Sequence, residues 1–389
     1  MKNQLWLFSA ALLIFYSCSQ KEESLPEKPL SEQQFEFEIY DSLVVDYLGN
    51  LYLADISEDG NTFLLIDQQT DTLFVTDSQG AIIHKFSKKG EGPGMYPEGR
   101  LGPPRFLNDE EIIIPSWKGF YLYSLSGDAT RTFSPEFNPT TSFVNQYDNS
   151  LVSYQKKIYY PLEGRIANEL GVEGREFQTK VRRVEVLDLS SGKFTPGIPF
   201  PKTSKFSTGE KSFLNVNYNT TLTSKDDSLY VAFRNEPVIY GYHFSQLDTP
   251  TTRYTIPFEE FIEKEPKDAE KFGPYEARDL YVGAINSFYR TEKKRFLIKF
   301  NRGLTDEEYQ EIFALIEKDQ EAGFEKMKQI NTNGSILFDG KSLSSLIKKP
   351  ISLGFTYEFI SEDEIWFSAN FEEIENDYSV IYKTRLVSK

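Results

Sequence analysis

Residues 62–86 read TFLLIDQQTDTLFVTDSQGAIIHKF and contain three short apolar or alternating runs separated by polar turns. The second and third runs, 72–76 and 81–86, are joined by Asp77-Ser78-Gln79-Gly80. An aspartate can bond its own backbone in a turn, and glycine accepts a positive φ at low cost. The stretch therefore predicts a β-hairpin.

Similar joints recur along the chain, at 124–127 and 189–192. Gly127 stands 47 residues after Gly80, and Gly192 stands 65 residues after Gly127. A second recurring unit, a polar turn followed by an apolar strand, begins at 109, 226 and 362. Imperfect repeats of this length, each with several strands, are typical of a β-propeller. We expect an all-β fold, a β-propeller of six or seven blades; a single large sandwich is the alternative.

Composition and charge support a β-rich extracellular protein. Tyrosine and phenylalanine number 23 and 32, and aromatic side chains suit half-buried sheet surfaces. The net charge of −16 argues against nucleic acid or an anionic membrane surface as a partner, because phosphate contacts need clustered lysine and arginine.

The first 17 residues have the three parts of a cleavable signal peptide. Lys2 provides a basic start, residues 5–16 form an uncharged apolar run, and Ser17 is a small residue before the expected cut. An apolar run of twelve residues is too short for a stable membrane-spanning helix. We expect residues 1–17 to be absent from the mature protein.

Cys18 is the only cysteine in the chain, and residues 15–18, F-Y-S-C, resemble a relaxed bacterial lipobox. Phe15 and Tyr16 depart from the commonest lipobox residues, as in lipoproteins of Bacteroidota. The resemblance implies that Cys18 carries acyl chains that anchor the protein to a membrane. The alternative is an ordinary cut near Ser17 that leaves Cys18 as a free thiol.

The residues after Cys18 suggest a location and a domain boundary. Residues 20–23, Q-K-E-E, resemble the signal that sends lipoproteins of the same bacteria to the cell surface, which implies an outer membrane lipoprotein facing outwards. Residues 18–34 are polar, carry prolines and lack periodicity, so they predict a lipidated flexible tether. We expect the propeller to occupy 35–389.

Residues 84–99, HKFSKKGEGPGMYPEG, resemble the loop of an NHL-type propeller repeat, with an aromatic strand end, a glycine-rich turn and an aromatic-proline pair. With the lipobox, the chain length and the aromatic strands, the chain resembles the six-bladed, TolB-like propeller lipoproteins of Bacteroidota catalogued as domain of unknown function 4221. This resemblance covers most of the mature chain. It implies a fold and a location, and no particular activity.

Two stretches depart from the β pattern. Residues 305–308, T-D-E-E, form a capping box, and Tyr309, Ile312 and Phe313 follow on one helical face. This pattern predicts a helical pair over 305–330. Residues 258–272 predict a shorter acidic helix interrupted by a proline. Such insertions either shape a binding site over one propeller face or cover outer strands.

Residues on and just after the glycine-rich loop are the best candidates for binding: Tyr96, Arg100, Arg105 and Trp117. Aromatic and arginine side chains are enriched at recognition sites. The alternative is that Trp117 belongs to a blade core and the two arginines pair with surface carboxylates.

Catalytic and metal signatures are mostly missing from the sequence. His84 and His243 have no second ligand nearby, and a lone cysteine cannot build a thiolate zinc site, so no metal and no cofactor are expected. Residues 334–342 have one residue too many between their glycines for a phosphate-binding loop. Residues 55–60 open like a calcium loop, but Ile66 replaces the closing glutamate, so they predict a β-turn instead.

These observations lead to three hypotheses on function. The first is a lipid-anchored surface propeller that serves as a binding scaffold for an envelope protein or glycan. The second is an extracellular enzyme that cleaves carbohydrate or peptide with carboxylates in the propeller channel, since the spacing of acidic residues in sequence does not exclude this. The third is a structural subunit of an envelope complex. No catalytic residue can be named from the sequence.

Overall fold

The computed structural model describes residues 29–139, 151–268 and 276–389, and these fold into six small antiparallel sheets. The first strand of each sheet lies next to the first strand of a neighbouring sheet, so these strands surround a central channel. The predicted β-propeller is confirmed, with six blades. The predicted signal peptide, Cys18 and the tether up to residue 28 lie outside the described residues.

Blades 1 to 4 are each built from four consecutive strands, counted from the channel outwards. Blade 1 comprises β2 (Leu51–Ile56), β3 (Thr62–Asp67), β4 (Thr72–Asp77) and β5 (Ile82–Phe86). Blade 2 comprises β6 (Arg105–Phe106), β7 (Glu111–Ser116), β8 (Gly119–Ser124) and β9 (Ala129–Phe133). Blade 3 comprises β10 (Val152–Tyr154), β11 (Lys157–Tyr160), β12 (Val184–Asp188) and β13 (Phe194–Gly197). Blade 4 comprises β14 (Thr220–Lys225), β15 (Ser228–Phe233), β16 (Val238–His243) and β17 (Thr252–Thr255).

Blade 5 has three regular strands: β18 (Ala284–Arg290), β19 (Phe296–Asn301) and β20 (Asn333–Phe338). Residues 343–347 follow the outer edge of β20, since Ser344 and Ile347 donate main-chain hydrogen bonds to it. This irregular segment takes the place of a fourth strand.

Blade 6 closes the ring with strands from both ends of the chain. It comprises β21 (Leu353–Ser361), β22 (Glu364–Ala369), β23 (Ser379–Ser388) and, outermost, β1 (Phe35–Val45). β1 pairs with β23 from Phe35 opposite Ser388 to Val45 opposite Ser379. All six sheets and their closure therefore lie within residues 29–389.

The predicted hairpin over 72–86 is the β4–β5 pair of blade 1. The Asp77 carboxylate accepts hydrogen bonds from the main-chain N–H groups of Gln79 and Ala81, at 2.9 Å each. Gly80 has φ +82°, and a Cβ there would lie 1.9 Å from the Val44 carbonyl oxygen of β1. Glycine is thus required both by the turn and by the close approach of the closing strand.

The two ends of the propeller differ. At the end that we call the turn face, short hairpins connect the first strand of each blade to the second. At the opposite end, the loop face, the connections from the second strand to the third vary from residues 117–118 in blade 2 to residues 302–332 in blade 5, and the connections into the next blade also lie there.

Helices occur mainly in the loop-face connections. Two short ones, α1 (Ala167–Leu170) and α2 (Arg175–Lys180), interrupt blade 3 between β11 and β12. The predicted helical pair is confirmed as α3 (Asp306–Ile316) and α4 (Gln320–Ile330), between β19 and β20, with the Thr305–Glu308 capping box present. No helix in the described parts of the chain has the length and apolarity needed to cross a membrane.

The acidic helix predicted over 258–272 is wrong for residues 258–268, which have no helical turn; residues 269–272 lie outside the described ranges. The main chain of Ile262 instead bonds to Arg302 and Gly283. The Asn235 side chain donates to the Ile262 carbonyl at 3.1 Å and accepts from the Lys264 N–H at 2.7 Å. Because tertiary partners occupy these backbone groups, helical hydrogen bonds cannot form there.

The predicted tether overlaps the folded body at residues 29–34. A 3₁₀ turn at Leu30–Glu32 precedes β1, and Leu30 is buried in the core of blade 6. Apolar burial of this one leucine fixes the chain immediately before the closing strand.

Candidate functional site

Two of the four predicted binding residues form a buried cluster next to blade 1. The Tyr96 hydroxyl donates to Asp71 at 2.6 Å, and Arg100 Nε donates to the other carboxylate oxygen of Asp71 at 2.6 Å. Arg100 Nη2 also donates to Gln68 at 3.1 Å. Burial, together with the Asp71 charge, raises the pKa of Tyr96, so its hydroxyl stays a hydrogen-bond donor. These contacts fasten the glycine-rich loop to the β3–β4 turn.

The third residue, Arg105, lies at the channel and bridges three blades. Its Nη1 donates to Asp55 of β2 at 2.7 Å, and its Nη2 donates to Glu358 of β21 at 3.0 Å. The Phe106 N–H donates to the second Asp55 oxygen at 2.7 Å. The Arg105 side chain is only 5% exposed. We call Asp55, Arg105 and Glu358 the channel triad.

The channel triad holds two carboxylates and one guanidinium away from water, so its protonation is shifted. Burial raises the pKa of Glu358 to about 7, although the Arg105 charge acts in the opposite direction. Burial also raises the pKa of Asp55, again opposed by Arg105. Because burial makes ionisation of these carboxylates costly, their charged forms stabilise the folded state less than their protonated forms do.

We expect the raised pKa of Glu358 to appear as a pH-dependent contribution to stability. The ordinary pKa of a glutamate is 4.5 and that of folded Glu358 is about 7, so the folded state binds the proton more tightly between these values. The stabilisation from Glu358 is complete below pH 4.5 and is lost as the pH rises through 7. A tenfold difference in proton affinity between the folded and unfolded states corresponds to about 1.4 kcal/mol of stability.

The measurement is urea unfolding of wild type and Glu358→Gln from pH 4.5 to 8, with exposed Glu317→Gln as control. The wild type should gain stability relative to Glu358→Gln as the pH falls, whereas Glu317→Gln should track the wild type. A constant difference between wild type and Glu358→Gln over the whole range would contradict the assignment.

The fourth predicted residue, Trp117, is partly buried and packs against the apolar cluster between blades 2 and 3. The structure thus brings Tyr96 and Arg100 together, and it places Arg105 and Trp117 elsewhere. Both arginines pair with carboxylates, as the alternative expected. These carboxylates are not at the surface, however, since Asp71 and Glu358 are buried and Asp55 is partly buried. The binding role of the four residues remains a prediction.

The turn-face end of the channel contains a polar cavity of about 240 Å³ bounded by the ends of the first strands, with Glu358, Tyr289, Arg290 and Ser224 among its lining residues. Pockets for small molecules usually measure about 300–1,000 Å³. The channel cavity is therefore below the usual size.

A larger cleft, of about 380 Å³, lies between blades 5 and 6 at the loop-face ends of β19, β20 and β21. Its floor is aromatic: the ring centroid of Phe367 lies 4.9 Å from that of Phe37 and 4.9 Å from that of Tyr357. We call it the blade 5–6 cleft. Its lining residues are Phe37, Lys299, Phe300, Asn301, Asn333, Gly334, Ser335, Leu346, Ile347, Lys349, Gly354, Phe355, Tyr357 and Phe367.

Both charged residues that line the cleft are lysines. Lys349 Nζ donates to the carbonyls of Leu353 and Gly354 at 2.8 and 2.9 Å, and Lys299 Nζ donates to the Phe355 carbonyl at 2.8 Å. Much of the Lys349 side chain is exposed, but its ammonium is partly withdrawn from water. This desolvation, with a smaller contribution from the Lys299 charge, lowers the pKa of Lys349 to about 8.

Large apolar side chains are exposed at the mouth of the cleft. Leu346 and Phe355, which line the cleft, are 42% and 64% exposed, and Ile351, in the chain segment between them, is 70% exposed. We call these three residues the rim patch. Single exposed apolar residues are normal on a soluble protein, but a group of them beside an apolar cleft is typical of an interaction site.

A second loop-face pocket, of about 500 Å³, lies on the other side of blade 6. It is lined by residues 48–50 and by the connection after β22, including Glu372, Glu373 and Glu375. Asn370 of this connection donates its side-chain N–H to the Ile351 carbonyl at 2.9 Å. This hydrogen bond joins the connection after β22 to the main chain of Ile351 in the rim patch.

The remaining motifs considered in the sequence are accounted for by local structure. His243 Nδ1 bonds to Ser245 Oγ at 2.7 Å, and His84 lies on β5. In residues 55–60, Ser57 donates to Asp59 at 2.6 Å within a turn. Over the described residues, no group of three or more His, Cys, Asp or Glu side chains is arranged to hold a metal ion.

We did not predict Lys349, Phe355 or Glu358 from the sequence. A signal for the first two was available, because the Lys348-Lys349-Pro350 run is basic in an acidic chain and apolar residues surround it. Glu358 had no such signal, since its contact with Arg105 joins positions 253 residues apart.

Comparison with known proteins supports the fold. No family model and no curated sequence matches the chain. A crystal structure of a DUF4221 family member from Bacteroides vulgatus aligns with a TM-score of 0.61 at 12% identity, covering 92% of this chain and 99% of that one. Looser likenesses are a Bacteroides fragilis protein described as exported (TM-score 0.47, 13% identity, 94% and 97% covered) and the Pan2 WD40 domain of Neurospora crassa (TM-score 0.41, 10% identity, 92% and 98% covered). The six-bladed chain thus shares its overall fold with this DUF4221 protein, as its sequence resemblance to that group of proteins led us to expect.

Proposed function

We propose that this protein is a lipid-anchored propeller at the outer surface of the outer membrane and that it binds a partner protein through the loop face of blades 5 and 6. The observation that carries the proposal is the rim patch of Leu346, Ile351 and Phe355 beside the blade 5–6 cleft. Exposed apolar groups of this kind are costly to leave in water and are typical of protein interaction sites.

The location rests on the N-terminal sequence. The apolar run over 5–16, the F-Y-S-C lipobox with Cys18, and the Q-K-E-E segment that follows support lipidation and surface export. Cells fed an alkyne-bearing fatty acid should incorporate it into the wild type and not into Cys18→Ala. Protease added to intact cells should degrade the wild-type protein.

We favour binding over catalysis because of how the channel carboxylates are held. Asp55 and Glu358 both accept hydrogen bonds from Arg105, which stabilises them as a bridge between blades. The raised pKa of Glu358 is the one observation that favours an enzyme, since general acids often show such shifts. Glu358→Gln separates the two hypotheses, because partner capture should be unaffected while hydrolysis through the channel should be abolished.

The proposal is tested by affinity capture from cross-linked cells. The lipidated wild type should recover one envelope protein in near-stoichiometric amount. A triple variant of the rim patch, Leu346→Ser, Ile351→Ser and Phe355→Ser, should lose at least about 90% of it, because truncating central anchors commonly costs about 2 kcal/mol or more.

The matched control changes three exposed apolar residues outside the blade 5–6 cleft and the rim patch: Ile82→Ser, Ile83→Ser and Met95→Ser, where the wild-type residues are 39%, 50% and 38% exposed. This variant should capture the partner as the wild type does. Equal loss in both triple variants, or no loss in the rim-patch variant, would overturn the proposal.

A further inference from the structure

The blade 5–6 cleft combines an aromatic floor with cationic walls, which restricts the chemistry of what it can hold. The floor of the cleft is formed by Phe37, Tyr357 and Phe367. The two charged residues that line the cleft are Lys299 and Lys349. A purely apolar occupant would offer no anion to the Lys349 ammonium, which donates to two neutral carbonyls. A purely polar occupant would leave the aromatic floor in contact with water.

The ammonium group of Lys349 has hydrogen-bonding capacity left for an incoming group. A lysine offers three N–H donors, and two of them point to the Leu353 and Gly354 carbonyls. These partners are neutral, so they fix the position of the ammonium without cancelling its charge. Lys349 Nζ also lies 4.7 Å from the ring centroid of Phe355, which ties the cation to the rim patch.

The charge of the cleft is opposite to that of the whole protein. The chain has a net charge of −16, yet the described residues that line the cleft include two lysines and no acidic residue. Lys348 adds another exposed positive charge next to Lys349. Such a local reversal of sign favours an acidic partner and disfavours a basic one.

We propose that the blade 5–6 cleft receives an acidic and apolar peptide segment of the partner protein, with an aromatic or branched aliphatic side chain on the aromatic floor and a neighbouring carboxylate bonded to Lys349. This inference rests on the proposed function and adds the chemical class of the segment recognised. The cleft volume of about 380 Å³ fits one large side chain with its adjacent carboxylate, within the usual size range of ligand pockets.

The test uses a matched pair of small probes, 4-phenylbutyrate and 4-phenylbutan-1-ol, which share a phenyl ring and differ in the carboxylate. Binding to residues 19–389, which retain all six blades and the closing strand, is followed by ligand-observed NMR titration in the absence of detergent. The acid should bind about tenfold more tightly than the alcohol, because a charge-assisted hydrogen bond is formed only by the acid.

Three variants locate the effect. Lys349→Met should weaken binding of the acid about tenfold and leave binding of the alcohol unchanged, since one charge-assisted hydrogen bond is removed and the apolar floor is kept. Lys348→Met, which changes the exposed neighbour of Lys349, should have little effect on the affinity for either probe. Phe355→Ala should weaken the binding of both probes. Equal affinity of acid and alcohol, no binding of either, or no effect of Lys349→Met would overturn the inference.

These outcomes can be told apart from failure of the proposed function. If the rim-patch variant loses the partner while the probes show no preference for the acid, the rim patch binds protein and the inferred segment chemistry is wrong. If the acid binds through Lys349 but the rim-patch variant keeps its partner, the cleft recognises such groups and the proposed docking surface is wrong.

Discussion

Arg105→Met is expected to lower the free energy of unfolding by about 3–5 kcal/mol at pH 8, because it removes the guanidinium that bonds to both Asp55 and Glu358. Asp55 and Glu358 come from blades 1 and 6, and Arg105 comes from blade 2, so the channel triad joins first strands that are far apart in sequence. The loss should shrink at pH 5, where the carboxylates can take up protons. Urea unfolding at the two pH values measures both effects.

Two further variants make this prediction specific. Arg182→Met removes an arginine whose pair with Asp248 is exposed, and it should shift the unfolding midpoint little. Combining Arg105→Met with Asp55→Asn and Glu358→Gln removes all three charges and should recover much of the loss. A single Arg105→Met variant as stable as the wild type would show that the triad does not stabilise the ring.

Removal of the closing strand should have the largest effect on folding. A chain that lacks residues 29–45 loses β1, and with it the pairing of Phe35–Val45 to β23 and the burial of Leu30, Phe35 and Phe37 in the blade 6 core. Such a chain should show no cooperative thermal transition and should aggregate, since the edge of β23 becomes available for pairing with other chains.

The control for this deletion removes residues 19–28, which precede the described fold. This shorter deletion should unfold at the wild-type midpoint, as measured by circular dichroism and size-exclusion chromatography. A chain without 29–45 that remains monomeric and unfolds cooperatively near the wild-type midpoint would contradict the closure by β1.

The strand pattern of the propeller is well predicted from the sequence because turn chemistry is local. The joints at 77–80, 124–127 and 189–192 all lie between the third and fourth strands of their blades. The second recurring unit, at 109, 226 and 362, marks the hairpin between first and second strands. Each recurring unit therefore corresponds to one fixed position within a blade.

Insertions are harder to predict where helices are short. The longer spacing of 65 residues before Gly192 results from the connection that carries Ala167–Leu170 and Arg175–Lys180 in blade 3. Helices of four and six residues are too short to show a helical period. The longer helices after Thr305 are predictable because their capping box and apolar face lie within one stretch of sequence.

Tertiary contacts explain why 258–268 fails as a helix and why the site was only partly predicted. The Asn235 side chain and Arg302 main chain hold residues 262–264 in a non-helical form, and neither contact can be deduced from local sequence. Likewise, the blade 5–6 cleft joins Lys299 to Phe355 across two blades. Residue types can suggest such a site, but only the fold brings its parts together.

The most direct test of a docking surface on blades 5 and 6 is photo-cross-linking in living cells. A photoreactive phenylalanine analogue is introduced at Phe355 in the rim patch or, as a control, at Ile83 on the outer strand of blade 1, since both positions expose an apolar side chain. We expect one cross-linked envelope protein from position 355 and none from position 83. Equal cross-linking from both positions, or from position 83 alone, would contradict a docking surface on these blades.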